Sequence, residues 1–186
     1  MKNNVTVLVI VIEAFLFLCG CQQLAKHNEE NIEKEDFFDI YYIKEAPKAT
    51  ERHNLEEVIT LVLNTNINTS TDTIAINVQD GEIYINPQMS SLGVHAKNGT
   101  KKVDDINKIL EILEKYEVQD WKEDYTFEDP STYEDGTSWH LFLQYEDGTI
   151  EQHGGSGTDE EKIKPDSFDA FIKEIADFVD ERINER

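Results

Sequence analysis

The chain has 186 residues, 39% hydrophobic and 10% aromatic, which suits one domain with a real core plus appendages. Its 17 basic residues stand against 39 acidic ones, a formal net charge of −22. That balance excludes nucleic-acid binding, which needs clustered Lys and Arg on phosphate, and opposes adhesion of the protein surface to anionic lipid. A solvated acidic surface, calcium or a basic protein partner stay compatible with it.

The amino terminus carries Lys2 and then an apolar stretch from Val5 to Leu18. Its length, about 14 residues, falls short of the roughly 20 that a spanning helix needs, and fits the central region of a secretory signal. Leu18, Cys19, Gly20 and Cys21 follow. This run resembles the lipobox of bacterial lipoproteins: an aliphatic residue, two small residues, then the obligatory cysteine. The resemblance implies that Cys21 Sγ receives a diacylglyceryl group and that cleavage falls between Gly20 and Cys21. Burial of two acyl chains, roughly 0.8 kcal/mol per CH₂, would hold such a chain firmly where one would not. Glu13 lies inside the apolar stretch at a cost of ~2.5–3.5 kcal/mol, set against the Val, Ile, Phe and Leu around it. The expected organisation is a signal peptide over 1–20, a polar tether over 21–36 and one domain over 37–186. The mature chain would keep Cys21 alone, leaving neither an intrachain disulfide nor a cysteine-based zinc site.

Phe37 to Ile43 is aromatic and β-branched and predicts a strand. In Asn54–Asn64, Leu55, Val58, Ile59, Val62 and Leu63 follow helical spacing, and Asn54 with Glu57 resembles a capping box. The β-branched content keeps a strand as the alternative. Ile74, Ile76 and Val78 alternate before Asp80-Gly81, and Ile83 and Ile85 after it, so a two-residue hairpin is expected. Val103, Ile106, Ile109, Leu110, Leu113 and Tyr116 form one stripe of an amphipathic helix. Val118 to Tyr125 alternates only weakly. Trp139, Leu141, Leu143 and Tyr145 line one face of a second hairpin turning at Asp147-Gly148. Phe168, Phe171, Ile172, Ile175, Phe178 and Val179 mark a last helix, entered through Pro165 and Asp166. The expected fold is α+β: an antiparallel sheet built from two Asp-Gly hairpins, covered on one face by amphipathic helices.

The stretch Trp139–Ile175 resembles a module of uncharacterised lipoproteins of Gram-positive bacteria. Trp139, Leu141, Tyr145, Asp147, Gly148, Thr149, Pro165, Phe168, Phe171 and Ile175 carry the likeness. Most are core or turn positions, so the resemblance implies a shared fold and no activity.

No catalytic signature is complete. His153–Thr158 reads HGGSGT, which lacks the lysine of a phosphate loop and the last glycine of G-x-S-x-G. It reads as a flexible connector. His140, His153 and Glu151 would form a zinc set only if the second hairpin brought them together. Asp124, Asp129 and Asp135 are the candidates for a loose calcium cage, without the spacing of a calcium loop. Phe37, Phe38, Tyr41 and Tyr42 read as core and cover before they read as a ligand shelf. The expectation is therefore a non-enzymatic, membrane-anchored surface lipoprotein, lipidated at Cys21, with a binding domain of unknown ligand, for which a basic protein partner is the candidate and an immunity-like role one version. A small envelope hydrolase or metal-dependent enzyme is the alternative.

Overall fold

The computed structural model describes residues 37–66, 72–95, 101–132 and 135–184. The expected signal peptide, tether and Cys21 lie outside them. The described elements belong to one unit beginning at Phe37. In chain order they are β1 (Phe37–Phe38), β2 (Val58–Thr65), β3 (Asp72–Asn77), β4 (Glu82–Ile85), β5 (Val94–His95), β6 (Lys101–Lys102), α1 (Lys108–Lys115), β7 (Thr137–Tyr145), β8 (Ile150–Gly157) and α2 (Phe168–Asn184). Six strands form an antiparallel sheet ordered β6-β4-β3-β2-β7-β8, and β1 pairs with β5 beside it. The class is α+β. Among the described residues no helix is long and apolar enough to cross a membrane.

β2 overturns the helical reading of 54–64. It lies at the centre, Leu61 pairing with Ile76 on one side and Leu143 on the other. A central strand is apolar on both faces, so positions at helical spacing are filled by default. Val58, Ile59, Thr60 and Val62 then favour the pleated backbone. Asn54 does cap, accepting from Glu56 N at 3.1 Å, but only a 3-10 turn over Leu55–Glu57. Glu57 bonds His53 instead of closing a capping box.

Side chains alternate between two buried clusters. Leu61, Leu63, Ile76, Ile83, Trp139, Leu141, Leu143 and Tyr145 pack with Ile109, Ile112 and Leu113 of α1 and Phe168, Phe171, Ile175 and Phe178 of α2. Each such side chain contributes roughly 1.5–3 kcal/mol by leaving water. Val62, Ala75, Tyr84 and Ile150 pack with Phe38, Ile40, Ile43 and Val94. The Phe37–Ile43 segment is a strand only over its first two residues, and Ile43–Glu45 is a 3-10 turn.

The Asp-Gly positions lie in longer connections, not two-residue turns. Asn77 pairs with Glu82 across Val78–Gly81, and Gln144 with Ile150 around Gly148. A type I′ turn needs positive φ at both central residues. Here only the glycines have it, Gly81 at 70° and Gly148 at 84°. The aspartates cap instead: Asp80 Oδ2 accepts from Asn77 Nδ2, and Asp147 Oδ1 from Thr149 N.

The glycine run is not a connector. Gly154–Gly157 forms the second half of β8, and residues 123–127 run along its outer edge. Gly154 N donates to Glu123 O, Tyr125 N to Gly154 O, and Phe127 N to Ser156 O. These bonds close an otherwise open sheet edge. Val118–Asp120 is a 3-10 turn, not the start of a strand.

Candidate functional site

A concavity of about 840 Å³ lies between residues 52–56 on one side and α1 with residues 117–120 on the other. Its lining carries Glu56, Glu111, Glu114, Glu117 and Asp120 against one basic residue, Arg52, whose Nη1 lies 2.5 Å from Asp120 Oδ1. A second hollow of about 460 Å³ shares Glu56, Asn107 and Leu110 with it. The helical stripe that buries Ile109, Ile112 and Leu113 necessarily turns Glu111 and Glu114 outward into this space.

His53 and Gln119 connect the groove to a polar network behind it. Gln119 Nε2 donates to His53 O at 3.1 Å and to Tyr145 Oη at 3.0 Å. Tyr145 Oη donates to Glu151 Oε2 at 2.5 Å. Glu151 Oε1 lies 2.9 Å from His153 Nε2, and His153 Nδ1 lies 3.1 Å from Lys122 O. A carbonyl only accepts, so Nδ1 is the donor there. Burial raises the Glu151 carboxyl, but the bonds from His153 and Tyr145 outweigh it, and the net shift is downward. Burial and then Glu151 push the Tyr145 phenol far up. His53 stacks on Tyr145 with ring centres 4.4 Å apart, and its Nδ1 lies 2.8 Å from Glu57 Oε2. Its Nε2 faces Thr149 Oγ1 at 3.4 Å and Asp147 Oδ2 at 3.6 Å.

This network binds elements together, and of its members His53 and Gln119 line the groove. His153 is 4% exposed, and among the described residues every buried side-chain polar atom has a partner. The zinc set does not converge. His140 pairs with Gly154 and Leu141 with His153, so the two histidines point to opposite faces of the sheet. Desolvation holds His140 below the usual imidazole range, with Asp124 partly opposing it. The calcium candidates are turn formers: Asp124 Oδ1 accepts from Thr126 N, and Asp129 Oδ1 from Ser131 N. Among the described residues no three His, Cys, Asp or Glu gather as a metal site. Sequence reading missed His53, Gln119 and Tyr145 as a cluster. The available signal was Glu151 and His153 at alternate positions of one strand, polar where a partner strand presents Leu143 and Leu141.

No family model matches the chain, and neither a curated protein nor a solved structure matches it.

Proposed function

We propose that the chain is a bacterial surface lipoprotein, anchored by lipid on Cys21 at the extracytoplasmic face of the membrane. Its domain binds a basic protein partner and performs no chemistry. Two Asp-Gly-containing hairpins with helices over one face form the scaffold of that binding domain. The carrying observation for the binding role is the groove of about 840 Å³, where five carboxylates surround a single arginine already engaged by one of them. Such a surface speeds and selects encounters with positive partners. An immunity-like role, blocking a basic toxin at the membrane, is the specific version. The anchor reading rests on Leu18-Cys19-Gly20-Cys21 following an apolar stretch.

Two experiments separate these parts. Palmitate labelling of the full chain should appear in wild type and vanish in Cys21→Ser; equal labelling of both removes the anchor. Basic secreted proteins of the source cell should be retained by immobilised wild type at low salt, released by raised salt, and lost in the Glu114→Gln/Glu117→Gln variant. Retention unchanged in that variant sinks the groove as the binding site. Turnover of an envelope substrate would instead favour the small hydrolase.

A further inference from the structure

The exposed apolar residues are unevenly placed. Among the described residues the large exposed hydrophobics are Tyr41, Tyr42, Ile85, Met89, Leu92 and Phe127, with Leu92 the most open at 71%. All but Phe127 fall within two segments, 37–46 and 85–95. Phe127 is covered differently, with Lys162 Nζ 4.1 Å from its ring centre. The two segments belong to one layer: Phe38 pairs with Val94, and Phe38 stacks on Tyr84 at 5.1 Å. Tyr41 and Tyr42 meet edge to face at 4.8 Å. From Ile83 to Ala96 the sequence holds no Asp, Glu, Lys or Arg, in a chain that is 30% charged. The 85–95 segment therefore carries apolar surface and no charged residue, and 37–46 adds exposed Asp39, Lys44 and Glu45, while the groove on the α1 side carries five carboxylates.

The chain also enters the domain here. Phe37, in β1, is the first described residue, and it pairs with His95. Fully extended, Cys21 to Phe37 spans at most about 55 Å. An anchor at Cys21 would thus join the domain at this layer, within reach of the lipid surface. Tyrosines favour the headgroup level, and the remaining acidic surface is repelled by anionic lipid. A basic partner finds two carboxylates here, Asp39 and Glu45, against five in the groove.

We infer that the layer formed by residues 37–46 and 85–95 faces the bilayer, with Tyr41, Tyr42, Met89 and Leu92 at the headgroup interface. This inference rests on the anchored reading above. It leaves the acidic groove turned to α1, available to a partner while the domain is seated on lipid.

The test uses the full lipidated chain in phosphatidylcholine nanodiscs carrying a headgroup spin label, with amide relaxation enhancement as the readout. Enhancements at residues 41–42 and 88–92 should exceed those in α2 and at 127–131 at least threefold. Met89→Ser/Leu92→Ser should reduce that contrast below twofold while the chain still partitions into the membrane. Partitioning with uniform enhancement, or with the strongest effect in α2, overturns the orientation and leaves the anchor standing. Failure of wild type to partition at all overturns the anchor and this inference with it. Concentration-dependent dimerisation of the Cys21→Ser chain, abolished by Met89→Ser/Leu92→Ser, assigns the layer to a second copy and also overturns it.

Discussion

Gly155 is where the packing around β8 can be tested most sharply. A Cβ built there would lie 2.0 Å from Ile163 O, 2.9 Å from Ile163 C and 3.0 Å from Tyr125 Cβ. Ordinary contact begins near 3.4 Å, and the obstacle is backbone, so the segment around Ile163 must retreat by more than an ångström. That carbonyl accepts from Trp139 Nε1 at 2.6 Å, and Trp139 is fully buried. Gly155→Ala therefore combines overpacking, about 1–3 kcal/mol, with a stranded indole N–H, about 1–3 kcal/mol. We expect a loss of about 2–6 kcal/mol, or roughly 4–24 °C in Tm for a domain of this size. Gly148→Ala is the control: φ is 84° and nothing lies within 4 Å, so only backbone strain of about 1–2 kcal/mol applies. Urea unfolding of the full chain, followed by tryptophan fluorescence, measures both. Trp139→Phe in the Gly155→Ala background should add less than it does alone, because both act on one carbonyl. A Gly155→Ala loss no larger than that of Gly148→Ala would refute the close crossing at Ile163.

His53 and Glu151 give opposite pH signatures. The bond to Glu57 raises the His53 imidazole above its ordinary 6.5, with burial opposing and Asp147 adding. Its stabilisation is full below pH 6.5 and is lost as pH rises through the raised value. Proton NMR titration should show the His53 midpoint falling in Glu57→Gln; an unchanged midpoint rejects that pairing. For Glu151 the net shift is downward, so its contribution is present above pH 4.5 and is lost as pH falls through the folded value. Glu151→Gln should cost about 1–3 kcal/mol at pH 7, and the gap to wild type should narrow below pH 4. A gap that stays constant down to pH 3 counts against the carboxylate.

The elements legible in the sequence were those with one buried face. α2 showed its apolar stripe because only that stripe meets the sheet, and Trp139, Leu141, Leu143 and Tyr145 alternated because the other face of β7 is less buried. β2 was ambiguous because both of its faces are buried, which erases the period that separates strand from helix. The glycines of β8 read as a loop because their reason is tertiary: the Ile163 carbonyl and the 123–127 segment approach the strand there. The groove was invisible for a similar cause. Glu56 lies more than fifty positions before Glu111, and the fold of β2 to β6 brings them to one lining. Net charge indicated acid somewhere; only tertiary structure could concentrate it.

That concentration runs against local helix physics. Glu114 sits in the last turn of α1 and Glu117 just beyond it, at the end where the helix dipole favours cations. Glu111 and Glu114 also stand three apart on α1 and repel as neighbours on its surface, and Glu117, a left-handed residue just past the helix, adds a third negative charge at that end. Both terms oppose folding, and all three side chains are exposed, so no burial offsets them. Residues that break a local rule without a packing gain are the ones expected at a functional surface. The consequence separates stability from binding. Glu114→Gln/Glu117→Gln should raise the unfolding midpoint of the full chain, most clearly at low salt, where the repulsion is least screened. The same variant should lose the basic partner. A chain destabilised by these changes would show that the carboxylates serve the fold, and the groove would then have no claim to a partner.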